Sequence, residues 1–156
     1  MNKTPRRLDG KHSMSMKLSS HFELSEFTRS ETADKLGIDN SLDWSDSAWI
    51  IDNLERLCVC ALEPIRRYIG EPVFVSSGYR CARLNEAVGG SRSSQHRIGE
   101  AADIYFSSFR EKWFEVVIYM ITSPCVPFDQ LIIYPTFLHI SVSSPNRREV
   151  LDYRNR

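Results

Sequence analysis

Hydrophobic positions recur every three to four residues in two long stretches of the chain, and this spacing predicts two amphipathic helices. The first stretch is "SLDWSDSAWIIDNLERLCVCALEPIRRYIG", with apolar positions at Trp49, Leu54, Leu57, Ala61, Ile65 and Tyr68 or Ile69. Asp46 or Ser47 can cap its start, and Gly70 ends it. Pro64 is expected to kink or divide it. The second stretch is "SSFREKWFEVVIYMIT", with Trp113, Val116, Val117 and Met120 on one side.

Shorter apolar runs predict strands and connecting helices. The predicted strands are "EPVFVSSGYR", "AADIYF", "PFDQLIIYP" and "FLHISVS", the last two joined at Pro135 and Thr136. A short helix is predicted in "HFELSEFTRSETADKLGI", where Ser25 or Ser30 can act as the cap and Gly37 as the stop, and another in "ARLNEAVGG". This order predicts an α+β fold class, with a small, mainly antiparallel sheet and helices packed on one face.

The bulk composition is that of an ordinary globular chain, and it argues against nucleic acid or a membrane as the binding partner. With 156 residues, 42% hydrophobic and 26% charged, the chain suits one domain over residues 17–156. The polar start, residues 1–16, has no apolar core of a signal peptide and predicts a flexible leader. Lys+Arg and Asp+Glu both number 20, so no global field favours nucleic acid or an anionic membrane. Apolar runs are too short for a membrane span, and the basic clusters "EPIRRY" and "NRREV" are interpreted as solvated surface.

His96 and Asp103, in "SSQHRIGEAADIYF", are candidates for two ligands of a metal ion. Catalytic zinc takes three protein ligands and keeps one position for water. His139, in the predicted strand "FLHISVS", is the candidate third ligand because a neighbouring strand can place it against Asp103. Taken singly, each residue also has a structural interpretation: a surface histidine, an aspartate paired with a basic group, and a hydrogen-bonded core histidine.

Several motif blocks occur together in one order: "SGYR", "LNEAVGGSRSSQHRIGEAADI", "FDQLI" and "LHISV". On these blocks the sequence resembles the zinc D-alanyl-D-alanine carboxypeptidase family, and more narrowly its phage- and prophage-type peptidoglycan peptidases. The resemblance extends over residues 19–151. It implies the Hedgehog/D-Ala-D-Ala peptidase fold and Zn²⁺ bound by His96, Asp103 and His139. It further implies that Arg80 binds a substrate carboxylate or carbonyl, and that Ser94 and Gln95 hydrogen-bond substrate or orient a ligand. The structural alternative for Arg80 is an ion pair under the sheet.

The general base is the part of the family pattern that this chain lacks. Relatives usually carry an Asp or Glu a few residues before the last zinc histidine, whereas no carboxylate lies between Asp129 and His139. Asp129 itself would be about 33 Å away along a straight strand, and a hairpin would put it near the far end of the pair. Glu100 is an alternative base, and Tyr134 can stabilise an oxyanion through its hydroxyl. A domain that binds zinc and peptide without efficient hydrolysis is the remaining alternative.

The leading prediction is a hydrolase, a zinc metallopeptidase of the carboxypeptidase or endopeptidase type that acts on peptidoglycan stem peptides. Its candidate catalytic residues are Arg80, Glu100 and Tyr134. The alternative is a catalytically weak zinc-binding module for peptidoglycan recognition or structure. We expect a monomer with no nucleic-acid partner and no membrane insertion. We also expect synthesis in the cytoplasm and action on the cell wall after release, as for a phage endolysin.

Overall fold

A five-stranded sheet forms the centre of the protein. The computed structural model describes residues 16–155, so the predicted leader, apart from Met16, lies outside the described residues. The strands are β1 (Phe74–Ser77), β2 (Ala101–Tyr105), β3 (Gln130–Ile133), β4 (Leu138–Ser141) and β5 (Glu149–Asp152), in the order β1-β2-β4-β3-β5. Neighbours are antiparallel except β3 and β5, which are parallel.

Helices make up a large part of the rest of the described chain. They are α1 (Leu24–Thr28), α2 (Glu31–Leu36), α3 (Trp44–Leu57), a π-helical turn (Cys58–Leu62), α4 (Glu63–Ile69), α5 (Ala82–Ala87), a 3-10 turn (Gln95–Ile98) and α6 (Phe109–Thr122). The predicted division of the long helix at Pro64 is confirmed, since Pro64 lies in the first turn of α4 directly after the π turn. Proline has no N–H and its ring clashes with the preceding turn, and the wider π turn relieves both problems.

The two faces of the sheet have different compositions because successive side chains on a strand alternate. Ala102 and Ile104 of β2 and Leu138 and Ile140 of β4 join the hydrophobic core. The helices contribute to that same core, through residues such as Leu54 and Leu57 of α3, Ile65 of α4, and Val116 and Met120 of α6. The predicted α+β class, a mainly antiparallel sheet with helices on one face, is therefore confirmed. The opposite face carries Asp103 and His139.

Several local predictions differ from the structure. The single short helix expected in "HFELSEFTRSETADKLGI" is two helices, because extended backbone at Ser30 interrupts it and the Ser30 hydroxyl caps α2 at Ala33 N. Helix α3 is capped by Asp43, ahead of the predicted Asp46 and Ser47. Strand β5 was not predicted: it has four residues of alternating partial exposure at the sheet edge, which gives a weak apolar signal. Among the described residues, no helix is both long and apolar enough to cross a membrane.

Candidate metal centre

Three side chains converge on the polar face of the sheet. Asp103 Oδ1 lies 2.9 Å from His139 Nδ1 and 3.3 Å from His96 Nε2, and the two imidazole nitrogens are 3.2 Å apart. His96 and Asp103 are buried, at 3% and 8% exposure. Within residues 16–155, this is the one group of three histidine, cysteine or acidic side chains close enough to share a metal ion. The structure therefore brings together the three residues predicted as ligands.

Strand register accounts for two of the three positions. Asp103 of β2 is the direct antiparallel partner of His139 of β4, so their side chains leave the sheet side by side on one face. His96 comes from the 3-10 turn that precedes β2. That turn is held to the chain after β1 by the bond from Arg80 N to His96 O, at 3.1 Å.

The orientation of the His96 ring leaves one nitrogen directed at the cluster. Nδ1 lies 2.7 Å from the carbonyl oxygen of Gly78, an acceptor, so Nδ1 carries the proton and donates it. Nε2 then presents its lone pair to Asp103 and His139. A backbone carbonyl that fixes the tautomer in this way is the usual support of a metal-binding histidine.

Electrostatics favour the protonation states that a metal ion requires. Burial alone would raise the pKa of Asp103, but the adjacent His139 and His96 imidazoles outweigh it and hold that pKa well below its usual range. Burial lowers the pKa of His96, although Asp103 opposes this. The carboxylate is therefore ionised and the His96 imidazole neutral near pH 7, as metal ligands must be.

The donor set and spacing fit zinc. A tetrahedral ion with bonds of about 2.0–2.1 Å has ligand atoms about 3.3 Å apart. The three observed separations, 2.9, 3.2 and 3.3 Å, are at or slightly below that value. Two imidazoles and one carboxylate are a known zinc ligand set, and three protein ligands leave a coordination position for water.

Arg80 is anchored beside the cluster. Its Nη2 donates to Asp103 Oδ2 at 3.0 Å and its Nε to the Ser77 hydroxyl at 2.9 Å. The guanidinium thus holds the second carboxylate oxygen while the first faces the histidines. The sequence did not indicate that Ser77 and Gly78, within the motif "SGYR", orient Arg80 and His96 respectively.

A cavity of about 740 Å³ opens over the cluster. Among the predicted site residues, its lining includes Arg80, Ser94, Gln95 and Tyr134 as well as His96, Asp103 and His139. The Tyr134 ring stacks on Phe137 at 4.3 Å between centroids. Burial and the nearby Asp103 charge raise the pKa of Tyr134, so its hydroxyl stays protonated and can donate a hydrogen bond. Tyr134 is therefore suited to the predicted oxyanion role.

The structure places Glu100 away from the cavity. Its carboxylate lies 3.4 Å from Arg56 Nη2 on α3 and 3.3 Å from Gln95 Nε2. Glu100 immediately precedes β2, yet its side chain is directed to the helix side and is absent from the cavity lining. The predicted base is thus not brought to the cluster.

Asp129 is also separate from the cluster and has other partners. It is 3% exposed, and it accepts hydrogen bonds from Arg147 and from Gln95 Nε2, the latter at 3.0 Å. Hydrogen bonds from Arg147 are the main cause that lowers the pKa of Asp129, with burial acting in the opposite direction. No sequence pattern indicates this pair, because its two members come from different loops.

Most of the chain is similar to a known protein family. A protein-family model described as Peptidase M15 matches residues 20–141. That span is well over half of the 156 residues and contains the three cluster residues, Arg80 and Tyr134. No curated protein matches the chain.

Proposed function

The chain belongs to the peptidase M15 family, and we propose that it is a zinc-dependent peptidase that hydrolyses peptidoglycan stem peptides. The observation that carries this proposal is the cluster of His96, Asp103 and His139 beside a cavity, with the Asp103 carboxylate ionised and the His96 tautomer fixed by the Gly78 carbonyl. Family membership confirms the resemblance seen in the motif blocks and supports peptidase activity in general. The metal and the substrate are the proposed parts.

Five residues that line the cavity have a defined role in this proposal. His96, Asp103 and His139 hold the zinc ion, which supplies Lewis-acid polarisation and an acidified water when bound. Arg80, fixed by Ser77, presents its guanidinium to a substrate carboxylate or carbonyl. The protonated Tyr134 hydroxyl donates to the oxygen on which negative charge develops.

A second function is favoured by one specific observation. Among the described residues that line the cavity, Asp103 is the sole carboxylate, and it belongs to the metal cluster. General-base catalysis needs an acceptor within hydrogen-bond reach of the reacting water. The alternative is therefore a zinc-binding module that recognises peptidoglycan peptides, or has a structural role, with little or no hydrolysis.

One experiment separates the two functions. The purified chain is analysed for zinc and incubated with peptidoglycan fragments and with stem peptides, with and without a chelator. The enzyme proposal expects about one zinc per chain and chelator-sensitive release of new amino groups. Bound zinc without turnover on D-Ala-D-Ala, L-Ala-D-Glu and cross-bridge peptides would instead favour the binding module.

The ligand assignment is tested in the same preparation. His96→Ala is expected to abolish stoichiometric zinc binding because it removes a buried donor from the cluster. His21→Ala is the matched control, since the His21 side chain is 52% exposed and pairs with Glu63. Retention of zinc by His96→Ala, or its loss from His21→Ala, would contradict the assignment.

A further inference from the structure

A second arginine lines the same cavity as the metal cluster. Arg147 belongs to the basic cluster "NRREV", which the sequence suggested to be solvated surface, and it lies beyond the residues that the family model matches. Its side chain is 58% exposed, whereas the side chain of its partner Asp129 is 4% exposed. We infer that Arg147 is a second carboxylate-binding residue, which recognises an acidic group of the substrate at a distance from the scissile bond. This inference rests on the proposed function.

Arg147 is held rigidly by one edge of its guanidinium. Its Nε donates to Asp129 Oδ1 and Oδ2 at 3.0 and 3.1 Å, and its Nη2 donates to Oδ2 at 2.6 Å. The Arg147 backbone N–H also donates to Oδ1, at 2.8 Å. Gln95 fixes the same carboxylate from the other side. Asp129 therefore acts as a positioning residue that sets the direction of the Arg147 side chain.

The other edge of the guanidinium forms an ion pair with Glu149 but no hydrogen bond to a carboxylate. Nη1 lies 3.7 Å from Glu149 Oε2, which is beyond hydrogen-bond distance, and Glu149 accepts instead from Gln130 Nε2 at 2.6 Å. Arginine has five N–H donors in a planar fork, so binding Asp129 through Nε and Nη2 leaves the Nη1 donors for a ligand. A fork presented in this way matches the planar oxygens of a carboxylate.

Strand register gives the spacing between Arg147 and the cluster. Ile132 is the direct partner of His139, and Asp129 precedes Ile132 by three residues. At about 3.3 Å per residue, Asp129, whose carboxylate binds the Arg147 guanidinium, lies about 10 Å along the strand direction from the level of the metal cluster. An extended peptide advances by a similar distance per residue, so the recognised carboxylate is about three residues from the scissile bond.

The cavity presents two separated guanidinium groups, which suit a peptide that carries two separated carboxylates. Arg80 follows β1 and binds Asp103 of the cluster, whereas Arg147 binds Asp129 beside β3, so the cavity suits a ligand with two separated negative groups. A stem peptide that contains D-glutamate carries one carboxylate within its chain in addition to the carboxylate at its C-terminus. The inferred substrate class is therefore an acidic stem peptide whose internal carboxylate is not amidated.

A purely structural ion pair is the competing explanation, and the chain contains a matched example. Arg154 donates to Asp152 at 2.6 Å and lies over the Trp113 ring, outside the cavity lining. A structural role for Arg147 would change stability when it is replaced, without any dependence on substrate charge. A binding role makes the affinity depend on one particular carboxylate of the ligand.

The test measures binding of stem peptides in which each carboxylate is replaced in turn by a carboxamide. Calorimetry on the full chain in the presence of chelator measures affinity without hydrolysis, and kinetics on the zinc-loaded chain give KM and kcat. For the internal carboxylate, we expect the wild type to bind the acid about 10-fold or more tightly than the amide. Arg147→Gln is expected to lose this preference and raise KM with kcat little changed. Arg154→Gln is expected to keep the preference.

Arg147→Lys keeps the inference testable if Arg147→Gln folds poorly. Lysine preserves the charge beside buried Asp129 but not the planar fork, so the fold is expected to persist and the preference to weaken. A full preference in either variant would overturn the inference, as would a wild type that does not distinguish acid from amide. Charge-dependent binding that needs Arg147, without any hydrolysis, would refute the peptidase proposal alone. Hydrolysis without that dependence would refute the inference alone.

Discussion

Replacing Gly99 with alanine is expected to destabilise the protein and weaken its metal site together. Gly99 follows the 3-10 turn that carries His96 and has a φ of +74°, in the left-handed region. A Cβ at this position would lie 2.5 Å from the carbonyl oxygen of Ile50 and 2.8 Å from its Cγ2. Both atoms belong to α3. Asn53 of the same helix also holds the turn, since its Nδ2 donates to the Ile98 carbonyl oxygen at 2.8 Å. The methyl group must therefore push the turn away from the helix.

The expected magnitude has two parts. A non-glycine residue in the left-handed region costs about 1–2 kcal/mol. Overpacking against an immobile backbone typically costs about 1–3 kcal/mol more. Gly89 offers a matched control, because its φ is +71° but no atom lies within 4 Å of its Cβ position. Gly89→Ala should show the first part alone, so the difference between the variants isolates the contact with α3.

Urea unfolding at equilibrium provides the assay, with the metal-free protein used for both variants. We expect Gly99→Ala to lower the free energy of unfolding by about 2–5 kcal/mol and Gly89→Ala by about 1–2 kcal/mol. Zinc affinity should fall in Gly99→Ala only, since displacement of the turn moves His96 away from Asp103 and His139. If the two variants unfold within about 0.5 kcal/mol of each other, a difference no larger than ordinary surface substitutions produce, the packing of this turn against α3 is wrong.

Three further predictions concern the site and the pH dependence of stability. Tyr134→Phe should lower kcat about 100-fold and leave zinc content unchanged, because only an oxyanion donor is removed, and an unchanged kcat would exclude that role. Asp103→Asn should weaken zinc binding at least 100-fold in a competition with a chromogenic chelator, since the ionised ligand becomes a neutral amide, and wild-type affinity would contradict its assignment as a ligand. Burial alone would raise the pKa of Glu63, but hydrogen bonds from Ser19 and His21 lower it below its ordinary 4.5. This stabilisation is present above pH 4.5 and is lost as the pH falls through the folded-state pKa, so Glu63→Gln should cost about 1–3 kcal/mol at pH 7 and much less at pH 3, as measured by urea unfolding. An equal cost at both pH values would contradict it.

Two of the three cluster residues were predictable because each of them interrupts an otherwise apolar strand pattern. Asp103 lies among Ala102 and Ile104, and His139 lies between Leu138 and Ile140, so alternation along each strand assigns both polar residues to the face away from the core. The pairing of these two strands, and hence the contact of the two side chains, was predictable only through the motif blocks. Period-two patterning fixes the face of a residue but not its partner.

Contacts between irregular segments could not be predicted from the sequence, and the reason is physical. Glu100 is only four residues from His96, yet its side chain contacts Arg56, because the chain turns at Gly99 between them. Asp129 and Arg147 are 18 residues apart in the sequence and form a hydrogen bond. No hydrophobic periodicity predicts this contact, since neither residue lies within a strand. Directions within irregular segments depend on tertiary packing, which local patterns do not encode.

Asp103 and Asp129 share an arrangement that bears on the missing base. Asp103 is held ionised beside Arg80, and Asp129 is held ionised by Arg147, so each carboxylate orients a guanidinium that lines the cavity. A general base works best when its pKa is near the working pH, whereas both of these carboxylates have pKa values shifted downwards. By orienting these two guanidinium groups, both carboxylates place positive charge in the cavity. Discrimination between acidic and amidated peptides is therefore expected in either candidate function, and only turnover separates the enzyme from the binding module.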